Sequence, residues 1–487
     1  NGDTNTGLYQ TGADALGFST AGALRLTIDS AGDVGIGTAT PGTYDSRAER
    51  LVVHESGDGG ITIATGATSD GRLVFARSGD TGLDHGEISY DQNTDVMGFA
   101  TAGTGRMTIP ASGGIVVGSL DIGHGAGSGG SADTNSTAVG KDALDSTEST
   151  ALQNTAIGAN ALTAISTGDY NTAVGMDAGK TVTTGNRNTV LGASAFDGAT
   201  VGAEGNTAVG NASLSAAAAA ENTAVGNSAL YAFTGSNATA VGSGAADAAT
   251  SALYLTAVGK DALGACTDSE GCTAVGQDAL GLLVSGADYN TAVGRSAGNG
   301  ITGDRNTHLG HWAGIYATSM DDSIAIGYGA LSGVDNYGAA SANSTRPTGN
   351  QNIAVGNYAL DATTSGANNI GIGHLAGSAI TDGVSNIAIG TNALDAANAG
   401  ENYNIAIGHD ALTSETSGAD GCVAIGTSAL ASQNTNSSNN VAVGYQAALN
   451  LNGGTDSVYV GYLAGGVGAI TGDDNVCIGK SAGQALV

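Results

Sequence analysis

The chain has 487 residues, of which 82 are Gly, roughly one in six against a background near 7%. Charged residues make up 12% and aromatics 4%, so a core packed with large side chains is excluded, and three prolines without a three-residue glycine period exclude a Pro-rich linker and collagen. Fourteen basic residues against 44 acidic ones, a net charge of -30, exclude nucleic acid as an expected partner, because neutralising phosphates needs clustered cations.

Residues 1–122 are expected to form a β shaft region. Within it, positions 7–37 align without gaps to positions 88–118, pairing Tyr9 with Tyr90, Phe18 with Phe99, Arg25 with Arg106 and Ile28 with Ile109. The shared pattern D-x-x-G-F-x-T-A-G-x-x-R-x-T-I reads as a duplicated hairpin unit. Strand-like runs lie between the copies: LVVH at 51, GITIATG at 60 and RLVFARSG at 72. The Gly/Ser-rich stretch at 123–135 then reads as a neck.

From 136 to 487 one pentapeptide recurs 20 times, from STAVG at 136 to NVCIG at 475. Its closing glycines stand 16 to 18 residues apart, except for one step of 29 between Gly327 and Gly356. A short fixed period with one outlier predicts a solenoid carrying one insertion, here 333–350. The second column is Thr in the first 11 copies, Ile in the next five and Val in the last four, and the fourth is always Val, Ile or Leu, which are strand formers. By the period of two, columns two and four share one face, and the Ala-rich third column and the Gly share the other. The following x-x-Ala-Leu or x-x-Ala-Gly reads as a second short strand and a return turn. The expected fold is all-β: a parallel β-solenoid, a flattened β-roll of about 20 coils, preceded by β-hairpin shaft units.

Asn opens 13 of the 20 copies. Stacked at one site, the side chains of Asn154, Asn171, Asn188, Asn206 and Asn222 can donate and accept along the axis, a structural ladder. The Gly column reads as a bend with φ > 0 or a backbone approach with no room for a Cβ. Where Thr gives way to Ile at Ile324, the coils are expected to become drier and more stable. A narrow roll buries little apolar surface per coil, so oligomerisation through branched or Ala faces is expected, and the separated chain is expected not to hold its fold.

The motif NTGLYQTGADALGFSTAGALRLTIDSAGDVGIGTATP at 5–41 resembles the recurring shaft unit of tailed-phage fibre proteins. The repeated N-T-A-V-G-x-x-A-L is similar to repeats of such fibres and to the N-S-x-A-I-G repeats of trimeric autotransporter adhesin heads. The resemblance implies a homotrimer, a left-handed β-roll in each chain, a cell-surface glycan or protein receptor as partner, and an extracellular place on a virion. The alternatives are a bacterial surface adhesin or extracellular filament and, more distantly, a glycan-cleaving tailspike. The chain departs from the adhesin pattern in its 17-residue period and in showing neither a heptad stalk nor a C-terminal membrane anchor. No self-cleaving chaperone is visible before Val487, so one has been removed or was never there.

No catalytic motif, cofactor or membrane insertion is expected; no apolar run approaches the ~20 residues that cross a bilayer. Asp261 and Asp278 each stand two residues after the unit Gly in adjacent coils, and are a candidate cation or glycoside-hydrolysis pair. Asp142, Asp177 and Asp410 fill the same slot elsewhere, which favours a solvated column. Candidate receptor-binding residues are Trp312, His311 and Tyr316 in HLGHWAGIY, with Tyr337 and Arg346 in the insertion, since aromatics on a rigid scaffold stack on sugar rings. His308, in the third column, joins them, and the alternative is that Trp312 caps a coil face beside a tolerated loop. Of the four cysteines, only Cys266 and Cys272 stand close enough to bridge within one loop, and each otherwise reads as a small buried hydrophobe.

Overall fold

A computed structural model describes residues 6–43, 51–54, 61–75, 86–102, 104–111, 116–117, 121–122, 136–145, 151–199, 201–333, 347–395, 400–414, 419–433, 437–466 and 468–484. It divides into two compact units, 1–120 and 121–487. The neck at 123–135 lies outside the described residues.

The first unit carries two five-stranded sheets. In one, β1 (Gly7–Gly12), β2 (Ala15–Thr20), β3 (Ala23–Ile28) and β4 (Val34–Ile36) form an antiparallel meander, and β5 (Leu51–Val53) joins β4 in parallel. The other orders β6 (Asp70–Phe75), β7 (Gly86–Asp91), β8 (Val96–Thr101), β9 (Thr104–Ile109) and β10 (Val116–Val117) antiparallel throughout. The duplication is visible residue by residue. In each copy the register slips just after the Phe, at Phe18 and at Phe99. Arg25 and Arg106 each donate from Nε to the hydroxyl of Thr20 or Thr101 at 2.9 Å. Asp14 and Asp95 take the left-handed conformation at the first turn, and Ala21 and Ala102 at the second, so the shared motif encodes two turns and a brace across the second. GITIATG differs from expectation. Its described part, 61–66, is not a strand: Ile61 and Ile63 alternate correctly but stand exposed, with no ladder partner among the described residues.

The second unit is a parallel solenoid. One 21-stranded sheet begins with Asp121–Ile122, so this unit takes in the last two residues of the expected shaft region 1–122, and continues with one three-residue strand from each of the 20 copies. Every strand spans columns two to four and pairs in register with the next, as in Thr137↔Thr155, Ala138↔Ala156 and Val139↔Ile157. At about 4.8 Å per step the sheet is on the order of 100 Å long. It runs across the 29-residue step without a slip, Ile324 pairing with Ile353. The insertion is therefore spliced out of the wall: Gly333 N donates to Asp361 O at 3.1 Å on one side, and Thr348 N donates to Thr364 O at 2.6 Å on the other.

The third column points inward. Ala156, Ala173, Ala208 and their counterparts are fully buried, whereas columns two and four are half-buried or exposed. The interior is completed by the Ala and Leu of x-x-Ala-Leu and by an apolar residue three positions further on, such as Ile165, Phe233 or Leu283. Among the described residues the expected second strand is absent, because x-x-Ala-Leu is a turn. Asp142 and Leu144 have φ of 58° and 53°, and the pattern repeats along the rod. Left-handed backbone at alternate residues folds the chain back over the strand and drives the Leu inward. Each such Leu costs about 1–2 kcal/mol in backbone strain, offset by burial and by coil-to-coil bonds such as Leu144 N to Ala161 O at 3.1 Å. The outward second column also corrects the expectation for Ile324: the Thr-to-Ile change alters the surface and leaves the interior as it was.

The closing glycines have φ between 119° and 146°. In every described coil but the last, a Cβ there would collide with the carbonyl of the Gly one coil on, while at Gly479 nothing lies within 4 Å. Bend and close approach are thus the same device. No helix of the described residues is long and apolar enough to cross a membrane.

Candidate functional site

The Asn column forms a buried ladder. Asn171 donates from its backbone N and its Nδ2 to Asn154 Oδ1, at 2.9 and 3.1 Å, and Nδ2 also reaches Gly185 O at 2.8 Å. Its own Oδ1 accepts the equivalent pair from Asn188, and Asn206 and Asn222 continue the series. Each amide therefore links two coils and ties the start of a strand to the turn closing its own coil. Asn is suited to this because one short side chain supplies both acceptor and donors. Cysteine replaces it twice: the Cys272 thiol lies 3.4 Å from Ala287 O and the Cys422 thiol 3.1 Å from Ser437 O, the carbonyls an amide would reach. All four cysteines are free and buried, and burial pushes the Cys272 thiol up to about 12.

A second ladder, two residues earlier and nearer the surface, is not anticipated by the sequence reading. Asp288, Asp304, Asp321 and Asn350 accept, through side-chain oxygens, the backbone N–H of Glu270, Asp288, Asp304 and Asp321, at 2.8–3.0 Å. Asn186 and Asp169 do the same for Asp169 and Leu152 at 2.7 Å. The spacing D-x-N, as in DYN at 169 and 288 and DRN at 304, was the available signal. Part of the acid excess is thereby structural.

Asp261 and Asp278 both sit in left-handed turns. Asp261 is ion-paired with Lys260, and Asp278 accepts from Gln277 Nε2 at 3.0 Å. Their column carries its own neighbours elsewhere: Lys141 on Asp142 at 3.1 Å, Lys180 on Asp177 at 3.3 Å and His409 on Asp410 at 2.9 Å. The Asn160 amide first and Lys180 second hold the Asp177 carboxyl below its ordinary range. Among the described residues, no group of three or more His, Cys, Asp or Glu is placed to hold a metal ion.

The aromatic candidates separate. His311 and Trp312 pack with ring centroids 4.3 Å apart, and both meet Tyr328, at 5.4 and 5.5 Å. Tyr328 in turn meets Tyr358 edge-on at 5.2 Å. His311 and Tyr328 occupy the first position after the unit Gly, Trp312 and Tyr358 the second, and Gly329 between them leaves room for the Tyr358 ring. Tyr328 and Tyr358 are missed by local sequence reading, although aligning coils on the closing Gly places them. Burial, then the Tyr328 hydroxyl, pushes the Tyr358 phenol up, and burial pushes the half-buried Asp361 carboxyl up to about 7. Tyr316 lies elsewhere on its coil, over Gly300, and makes no ring contact with this group among the described residues. Tyr337 and Arg346 lie outside the described residues. At the far end of the rod, Tyr445 and Tyr462 stack in parallel at 5.3 Å, with Lys480 over Tyr462 at 5.7 Å.

His308 is not available to a ligand. It is fully buried between Ala292 and Ala325, in space left by Gly298 and Gly314 where neighbouring coils carry Leu. Neither ring nitrogen has a partner, and burial lowers its pKa to about 4, so it packs as a neutral ring.

Comparison of the chain with protein-family models, with curated proteins and with solved structures finds no match.

Proposed function

We propose that the protein is a structural fibre for attachment to a cell surface, a phage tail fibre assembled as an extracellular homotrimer on the virion, with no chemistry of its own. The observation that carries the reading is the uninterrupted 21-stranded solenoid, whose interior is built from backbone and side-chain ladders. Such a rod is stiff because neighbouring coils are bonded at several points, and stiffness along an axis is what displaying a binding surface at a distance requires. Trimerisation is supported by the outward face. Columns two and four form a half-exposed band of branched side chains along a rod on the order of 100 Å, a surface that copies of the chain could cover, and the order of three follows the resemblance to fibre repeats.

The test is attachment by the purified full chain. Saturable binding to intact bacteria within a strain panel is expected, with no release of shorter oligosaccharides from their purified polysaccharide. Absence of binding across the panel would overturn the attachment role, and release of oligosaccharides would overturn the non-enzymatic reading. Virion structural genes beside the coding sequence favour a phage fibre; an outer-membrane anchor favours an adhesin.

A further inference from the structure

We propose that Arg295, His311, Trp312, Tyr328 and Tyr358 form a saccharide-binding face selective for sugars that carry a carboxylate. The inference rests on the attachment reading above and names its ligand class. Two observations converge on these five residues.

The first is the arrangement of rings. His311, Trp312, Tyr328 and Tyr358 come from three successive coils and touch in one continuous group, beside the point where the insertion leaves the wall. The coils hold them at fixed steps of about 4.8 Å, so the rings need no ordering when a ligand binds. Half-exposed aromatic surface of this kind packs against the apolar faces of pyranoses.

The second is charge. In a chain of net charge -30, Lys141, Lys180, Lys260 and Arg305 are engaged by a carboxylate of their own or an adjacent coil, and of the solenoid cations without an ion pair among the described residues, Arg187, Arg295 and Lys480, only Arg295 stands beside His311 and Trp312. Arg295 is exposed and makes no ion pair among the described residues. It stands one coil from His311 in the same column, and its carbonyl accepts from Trp312 N at 3.2 Å. An unpaired guanidinium offers a planar fork that matches a carboxylate.

Trp312 is the only Trp in the chain, so its fluorescence reports on this face alone. The full chain is titrated with an oligogalacturonate, with an oligomer of N-acetylneuraminic acid, and with neutral maltohexaose. At least one acidic oligomer should change the emission saturably, maltohexaose should not, and added salt should weaken the response. Arg295→Ala should weaken acidic binding at least tenfold and Arg295→Lys less, with the melting temperature unchanged. Tyr328→Ala, checked for folding by circular dichroism, should weaken it similarly. No response to either acidic oligomer, an equal response to maltohexaose, or full affinity in Arg295→Ala would overturn the proposal. The two readings fail separately. Cells bound equally by wild type and Trp312→Ala would remove this site and leave attachment standing; a wild type that binds no cells would remove attachment, while the titration still decides the site.

Discussion

Replacing Asn188 with Ala would leave two groups stranded in the interior: the Asn206 N–H, which now reaches Asn188 Oδ1 at 3.0 Å, and Ala203 O, which accepts from Asn188 Nδ2 at 2.9 Å. At about 1–3 kcal/mol for each buried unpaired group, Asn188→Ala should destabilise the chain by about 3 kcal/mol in urea denaturation. A loss below about 0.5 kcal/mol would mean that the ladder contributes nothing beyond filling space. His308 supplies a second prediction at this scale. Its folded pKa, about 4, lies below its unfolded value, so stability is complete above pH 6.5 and falls as pH drops toward 4, by about 3 kcal/mol. Asp361 acts in the opposite sense: held near 7 in the fold, it makes the protein more stable as pH falls from 7 toward 4. His308→Ala should therefore enlarge the gain in stability on acidification, and Asp361→Asn should turn it into a loss. Unchanged pH slopes in both variants would contradict the assignment. Because Gly314 leaves the space that His308 fills, His308→Ala/Gly314→Leu should recover the stability that His308→Ala alone loses. The Asn column was legible because a polar residue at a fixed site in a repeat has few uses other than a ladder. The left-handed Leu was not, since Leu carries none of the turn chemistry that marks Gly, Asn or Asp.

A single coil consists of one three-residue strand, a closing Gly and a turn that returns over the Ala column. The pentapeptide revealed the strand because its columns alternate in character. The x-x-Ala-Leu segment misled because two small or apolar residues at fixed positions suit a short strand as well as a turn, and only the left-handed backbone distinguishes them. Face assignment was similarly ambiguous, as branched and Ala faces are both apolar; bulk decides it, since the narrow interior takes Ala and the Leu that folds over it. Two variants test the coil. Gly192→Ala should disrupt folding, for its Cβ would meet the Gly210 carbonyl, whereas Gly479→Ala, with nothing within 4 Å of its Cβ, should cost only backbone strain of about 1–2 kcal/mol. Equal effects in thermal denaturation would deny the role of close approach. The insertion is testable as a unit. A Cβ on Gly333 would lie 2.6 Å from Pro347 Cδ, so the ends already meet, and removing residues 334–346 shortens the 29-residue step by 13 to 16, within the regular range. That deletion should leave the melting temperature within a few degrees of wild type; loss of folding would show that the insertion supports the wall.

Across the whole molecule, the repeat gave away the solenoid and its length, because a fixed period allows little else, and the duplicated motif gave away the matching meanders of the first unit. The second ladder stayed hidden because Asp on an acidic chain reads as solubilising charge, and the aromatic group stayed half hidden because its members are brought together by stacking coils rather than by proximity along the chain. Oligomerisation joins these scales: the interior closes within each chain, and the β-branched band left outside is what copies of the chain would cover. The most direct measurement of the fibre account is sedimentation equilibrium of the full chain across a dilution series. It should return a mass three times 46.9 kDa, persisting to the lowest concentration at which the chain remains folded. A folded species of 46.9 kDa at any dilution would contradict it.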